Sequence, residues 1–367
     1  MMNRNVLEKY ADLLVNYCLE IKAGEKLYIS TTTLAEPLLR EIYRLAIRKG
    51  AIVEYQMTFR EQNRIFIAEA NEDQLDYVNP SYEEMMSTYD AYLVIRAPFN
   101  VREDQANDPQ KTGRRQKALN IVNQIYSERI ADRSLKRCLC QFPTQAAAQE
   151  AGMSLEEYEH FVYNACHLSA DDPASKWLEV RASQQKAVDY LNNCDYIRYK
   201  NPKSDITFRV KNRIWINSDG RSNMPSGEVF TGPIEDTVNG YMHFDFPTVY
   251  MGHEVQGVTL HVKDGRVVTW TADKGQEFLD DIFKIEGSRY FGEVAIGTNY
   301  NIQTTTKNIL FDEKIGGSIH MAIGQSYKQT GGKNQSPIHW DMIANMKEGG
   351  EIWADGKLIY QNGYFLI

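Results

Sequence analysis

Lys26-Leu-Tyr-Ile-Ser30, then Thr31-Thr-Thr33, then Leu38, Leu39, Ile42, Leu45 and Ala46 at helical spacing up to Gly50: this stretch decides the reading of the first half. The first five residues read as a short strand. The leucines and their neighbours recur every three or four positions, so they share one face of a helix that Gly50 stops. Residues 51–58 are a second strand. Outward from there, helical pieces cover 61–87, a third strand 91–97, a long helix about 112–131 and a fourth strand 137–142. That βαβα rhythm predicts an open, mostly parallel sheet with flanking helices. No Gly-x-Gly-x-x-Gly follows the first strand, so the dinucleotide-binding fingerprint is absent. Thr31–Thr33 at a strand-to-helix turn can hold an anion, although a hydroxyl helix cap is the commoner use.

Residues 144–193 read as helices. Ser154-Leu-Glu-Glu157 has the form of a capping box, and Pro173 opens a long helix toward Leu191. From Tyr196 the texture changes to short strands, among them 206–210, 255–262 and 267–272, separated by Gly, Asn and Asp. Asp264-Gly265 between alternating apolar runs is a hairpin signal, and Trp353-Ala-Asp-Gly-Lys repeats it. The expected division is an α/β domain over 1–194 and a β-rich α+β, metal-binding domain over 195–367.

The chain has 367 residues, enough for two domains and a large core. At 43% hydrophobic and 25% charged it has the composition of an ordinary globular protein. A net charge of −8 without a basic block gives no electrostatic support for binding nucleic acid or an anionic membrane. The N-terminus lacks a signal-peptide core, and no apolar run nears the ~20 residues that span a bilayer. Five scattered cysteines (18, 138, 140, 166 and 194) make no disulfide framework. A cytoplasmic location is expected. Cys138-x-Cys140 reads as two buried thiols on one strand face, and His160 with His167 as a helix surface.

Chemistry concentrates in the second half, at Glu228, Glu293, His320, His339 and Asp341, each in a short Gly- or Pro-punctuated segment. Two imidazoles and three carboxylates form the ligand set of a pair of divalent ions; imidazole suits zinc or cobalt, and carboxylate neutralises and bridges charge. In an extended His339-Trp340-Asp341, residues i and i+2 share a face, so the imidazole and the carboxylate converge. Two ions a few ångströms apart can split amides, esters or phosphates. A metallohydrolase is the expectation from the residues alone.

Four segments resemble the M29 metallopeptidases of the aminopeptidase T and aminopeptidase S type. They are Asn223-Met-Pro-Ser-Gly-Glu-Val-Phe-Thr-Gly-Pro-Ile-Glu-Asp-Thr-Val-Asn-Gly240, Gly292-Glu-Val-Ala-Ile-Gly-Thr-Asn299, Asp312-Glu-Lys-Ile-Gly-Gly-Ser-Ile-His320 and His339-Trp-Asp341. Tyr10-Ala-Asp-Leu-Leu-Val and Lys22-Ala-Gly-Glu-Lys-Leu fit the family opening, so the resemblance is close to full length. It implies an aminopeptidase with two divalent metal ions (zinc, cobalt, magnesium or manganese) on Glu228, Glu293, His320, His339 and Asp341. It further implies Tyr327 as the catalytic tyrosine, short peptides as substrates and a homodimer. One departure is the stretch between the histidines, only eighteen residues (321–338) and Gly-rich, which bears on cleft shape and substrate range.

The general base is open. Glu293 can serve if it lies outside the direct metal shell; Asp312 and Glu313 are further carboxylates, read here as a turn cap paired with Lys314. His243, His253 and His261 read as surface or supporting residues, and Asn239-Gly240 and Glu235-Asp236 as a turn and an edge of the site. Two alternatives stand beside the peptidase. One is a dinuclear phosphoesterase clamping its substrate with Lys314 or Lys328. The other is a small-ligand binding protein with a structural metal, which a Cys-poor set of ligands disfavours.

Overall fold

The alternation of the first half closes into one parallel sheet in the computed structural model, which describes residues 4–367. Strands run in the spatial order Ile52–Thr58, Lys26–Thr32, Ala91–Arg96, Lys136–Gln141, Asn223–Met224, and every pairing is parallel. Helices connect the first four, as parallel neighbours require. Leu27, Ile29, Leu93, Ile95, Cys138 and Cys140 are buried on one side. The two cysteines are therefore core residues, and no group of potential metal ligands among the described residues contains a thiol. Thr32 accepts the Leu34 N–H at the turn after the first strand, so the threonine run caps a helix.

Three local expectations need correction. The 112–131 helix is two helices, Pro109–Ala118 and Asn120–Ala131. Each half has its own anchor: Arg115 donates to the Leu75 and Tyr77 carbonyls, while Arg129 donates to that of Met86. His167 lies past the end of the Leu155–Ala165 helix with φ of 59°. Asn239-Gly240 begins the strand Asn239–Phe244 and is not a turn. The Ser154 capping box is present, its hydroxyl accepting from Glu157 N–H and the Glu157 carboxylate accepting from Ser154 N–H.

By contacts the chain forms two compact units, one of residues up to Ala174 with Gly220–Met224, the other Ser175–Asp219 with Pro225–Ile367. The contact boundary lies ahead of the compositional change at 195, because Ala187, Val188 and Leu191 of the Pro173–Leu191 helix belong to the core of the second unit. No helix among the described residues is long and apolar enough to cross a membrane.

The second unit contains two larger antiparallel sheets. One has eight strands, in the order Arg266–Thr271, Val258–Lys263, Asn239–Phe244, Ser204–Arg209, Tyr196–Asn201, Glu351–Ala354, Lys357–Gln361, Tyr364–Phe365. Both Asp-Gly pairs make two-residue hairpins with positive φ at each position (50° and 80°, 47° and 81°). The other sheet has five strands, in the order His339–Asn345, Ser318–Gly324, Phe291–Gly297, Glu228–Thr231, Ile216–Ser218. Ile206, Phe208, Met242 and Leu260 of the first share one apolar core with Val229, Val294, Ile296, Ile319, Met321 and Met342 of the second.

That core fixes which face of the five-stranded sheet remains for polar groups. Strict alternation would put Phe291 and Glu293 on the same side. A bulge between them shifts the register, so Phe291 stays in the core while Glu293 turns away from it. Gly292 makes the bulge possible, since a Cβ there would stand 2.3 Å from Gln325 O. Gly292→Ala is accordingly expected to cost about 1–3 kcal/mol in urea unfolding, by forced overpacking. A loss below about 0.5 kcal/mol would mean that the loop at 325 yields freely and does not constrain the bulge.

Candidate metal centre

Five charged or imidazole side chains stand on the polar face of the five-stranded sheet, each opposite a small or apolar neighbour. Glu228 pairs with Gly297, Glu293 with Ala322, His320 with Ala295, Asp341 with Ala322 and His339 with Gly324. The intervening Val229, Val294, Ile319, Met321, Trp340 and Met342 point into the core. Small neighbours leave the space in which the long side chains meet. The extended reading of His339-Trp340-Asp341 holds: both side chains face the cluster, and Trp340 stacks on Tyr250 behind them at 5.1 Å.

All five candidates converge. His320 Nε2 lies 3.3 Å from Glu228 Oε2 and 3.5 Å from Glu293 Oε1. His339 Nε2 lies 3.1 Å from Glu293 Oε2 and 3.5 Å from Asp341 Oδ1. Two potential ligand triads result among the five, Glu228–Glu293–His320 and Glu293–His339–Asp341, and a third, Glu313–His320–Asp341, takes in a neighbour. Glu228, Glu293, His320 and Asp341 are buried, His339 partly so.

The residues fit a divalent ion by their unmet demands. Glu228 Oε2 and Asp341 Oδ1 are buried without a hydrogen bond, each facing only an imidazole Nε2 at 3.3 and 3.5 Å, so a cation, an imidazolium or a metal ion, must stand opposite them. The His339 Nδ1 lies 2.8 Å from Gln325 O. Donating its proton there turns the Nε2 lone pair toward the carboxylates, the arrangement that orients a metal-ligating histidine.

Crowded carboxylates also set the protonation states. Burial disfavours the His320 imidazolium, yet the hydrogen bond to Glu293 and the charges of Glu228, Asp341 and Glu293 push it up to about 9. His339 is raised well above the usual range, since Asp341 and Glu293 outweigh its burial. Burial raises Asp341, but His339, His320 and Lys314 bring it down to about 2. Without a metal, both imidazoles hold protons at neutral pH and stand in for its charge.

Two residues of the centre escaped the sequence reading as ligand neighbours. Glu313 brings a carboxylate oxygen within 4.8 Å of ligand atoms of His320 and Asp341. Lys314, 1% exposed, donates to Glu228 and to Glu313; its pairing with Glu313 was expected, its hold on Glu228 was not. Asp312 points elsewhere, accepting from Thr306 N–H at 2.8 Å and the Thr306 hydroxyl at 2.9 Å. Burial pushes its carboxyl up to about 7. Tyr327 flanks the cluster, its ring 4.9 Å from that of His339 and 5.8 Å from Phe230. Although 42% of the residue is open, desolvation and then the charges of Glu293, Asp341, Glu313 and Glu228 hold the phenol protonated.

Remaining candidates lie outside. His243 pairs with Thr259, His261 stacks on Tyr241 and His253 on Phe278. Glu235 accepts from Lys333 N–H and from Arg213, each at 2.6 Å, and so ties down the loop that carries Tyr327. Of the two lysines considered for a phosphate clamp, Lys314 is buried and held by two carboxylates, whereas Lys328 is exposed.

Residues 3–365 match the family described as thermophilic metalloprotease (M29). Aminopeptidase 2 of Geobacillus stearothermophilus is 30% identical, over 89% of this chain and 85% of that protein. Aminopeptidase AmpS of Bacillus subtilis is 27% identical over 97% of both. The fold is also that of wild-type AmpT from Thermus thermophilus, with a TM-score of 0.86 at 24% identity over 99% of this chain and 100% of that one. With a family match over nearly its whole length and a buried carboxylate–imidazole cluster, the chain belongs to the M29 metallopeptidases and is a metal-dependent peptide hydrolase.

Proposed function

We propose that this chain is a dinuclear aminopeptidase, which removes N-terminal residues from short peptides with a metal-activated water. The observation that carries the reading is the sharing of Glu293 by two ligand triads. One of its oxygens faces His320 and the other faces His339, as suits a carboxylate that bridges two ions. Glu228 and His320 complete one site, His339 and Asp341 the other. Zinc or cobalt suits the imidazoles; magnesium or manganese suits the carboxylates. Bound there, divalent ions supply Lewis acidity that polarises a carbonyl and makes water nucleophilic near neutral pH.

The protein's own groups do the rest. Glu293, within reach of both candidate sites, would be engaged by both and is a poor candidate for general base. The Tyr327 phenol, protonated and beside the open edge of the cluster, can donate to the oxygen on which negative charge develops, an interaction stronger in the transition state than in the ground state. Aminopeptidase activity is supported by the names of the relatives. A cytoplasmic homodimer acting on unfolded peptides extends the family resemblance; a stable, active monomer in sedimentation would count against the dimer.

Elemental analysis after reconstitution is expected to give two divalent ions per chain, and chelation to abolish cleavage of leucyl-p-nitroanilide. Glu228→Ala, His320→Ala or Asp341→Ala should lose turnover and metal while remaining folded. Trace metal after reconstitution, or near wild-type activity in these variants, would refute the reading.

Tyr327→Phe keeps the ring and deletes the donor. Turnover should fall roughly 100- to 1000-fold with both metals retained and KM little changed. A variant within a few-fold of wild type removes the phenol from the mechanism.

Metal uptake is also expected to release protons. At pH 7.5 the His320 and His339 imidazoles of the metal-free protein are charged, and each must lose a proton to bind a metal. About two protons per chain should appear when calorimetric titrations are compared across buffers of different ionisation enthalpy. The His320 contribution is complete below its unfolded value near about 6.5 and disappears as pH rises through about 9. Metal-free protein should therefore lose thermal stability over that interval. Proton release indistinguishable from zero at pH 7.5 would contradict the charge assignment.

A further inference from the structure

Between two carboxylates of the centre lies a cation that the chemistry above leaves without a role. Lys314 precedes the Ser318–Gly324 strand, and its side chain is 1% exposed. Nζ donates to Glu228 Oε1 at 2.5 Å and to an oxygen of Glu313. Its main chain is fixed as well, N–H donating to Phe311 O at 3.0 Å and the carbonyl accepting from Asn299 N–H at 2.9 Å. An ammonium held in this way is not placed to meet a substrate.

What it does control is how its partners present their oxygens. A carboxylate can bind a metal through one oxygen or through both. With Oε1 of Glu228 on the ammonium, the oxygen left is Oε2, which lies 3.3 Å from His320 Nε2 and has no hydrogen-bond partner. Glu313 is constrained alike, one oxygen on Nζ while the carboxylate stands within ligand range of His320 and Asp341. The charge follows the same logic. Fully ionised, Glu228, Glu293, Glu313 and Asp341 would carry −4, which Lys314 would reduce to −3 with neutral imidazoles, although burial raises the Glu313 carboxyl to about 7. Two divalent ions held there would leave the centre net positive and supply electrophilicity toward a carbonyl.

We propose that Lys314 is a positioning residue of the metal centre: it restricts Glu228 and Glu313 to one metal-facing oxygen each and thereby keeps a coordination position open for substrate. The proposal rests on the dinuclear reading.

Cobalt(II) loading of the full chain tests it through the visible absorption spectrum, with kcat and KM on leucyl-p-nitroanilide beside it. The informative variant is the double substitution Lys314→Met/Glu313→Gln, which removes one charge of each sign and leaves Glu228 opposite His320 and the metal alone. It is expected to bind cobalt, but with a weaker, shifted d–d spectrum as Glu228 closes on the ion through both oxygens. Its kcat should fall roughly 10- to 100-fold, the usual effect of losing a group that orients a metal ligand, with KM within about threefold. Lys314→Arg retains a cation and should keep the wild-type spectrum. A folded double variant with wild-type spectrum and kcat overturns the proposal. So does a spectrum that stays unchanged while activity falls only as the folded fraction falls. A crystal structure of the cobalt-loaded wild type provides a readout that needs no variant: Glu228 bound through Oε2 alone supports the assignment, and Glu228 bound through both oxygens overturns it. Wild-type protein that takes up no cobalt defeats the dinuclear reading itself and is recognised before any substitution is made.

Discussion

Like charge in a confined, dry space is the constraint on which the second unit depends. Four carboxylates, Glu228, Glu293, Glu313 and Asp341, meet in groups whose ligand atoms lie within 4.8 Å of one another. Ionised carboxylates at such separations repel strongly where water is excluded. Only cations brought to the same place make the arrangement tenable, and the chain supplies three groups for that purpose: Lys314 and two histidines whose imidazoles hold protons at neutral pH. The apolar core behind the sheet performs the mechanical part. Val229, Val294, Ile319, Met321 and Met342 anchor the strands from one side, so the side chains opposite them are held by backbone register and not by their own attractions.

Much of the architecture was legible because it rests on local rules. The parallel sheet follows from strands and helices in alternation, and the hairpins at Asp264-Gly265 and Asp355-Gly356 from residues that tolerate positive φ. The break at Leu119 was not legible. Both halves have good helical sequences, and what separates them is docking onto different neighbours, through Arg115 on one side and Arg129 on the other. Periodicity carries no record of such partners.

The centre divides in the same way. His339 and Asp341 were readable as a pair, since alternation along a strand places them on one face. Glu228, Glu293 and His320 were named from residue type and family likeness, while their meeting depends on the order of strands in the sheet. Glu313 and Lys314 lie in the turn ahead of a strand, where no period assigns a direction; the sequence offered them as a mutual pair, a spare carboxylate and a possible clamp, without the link to Glu228. The rest was hidden because a buried ion pair between neighbours in sequence looks the same, on paper, as an exposed one.

The bulge at Gly292 has a consequence of another kind. It sets the parity of everything after it on that strand: Glu293 outward, Val294 inward, Ala295 outward, Ile296 inward. Deleting one residue there would exchange the two sets, driving a carboxylate into the apolar core and a valine among the ligands. The segment therefore behaves like a reading frame, in which insertions and deletions are tolerated only where they preserve phase. Changes of chain length during divergence must be absorbed elsewhere, and the Gly-rich loop 325–338, which adds no such phase to a strand, is a place that can absorb them.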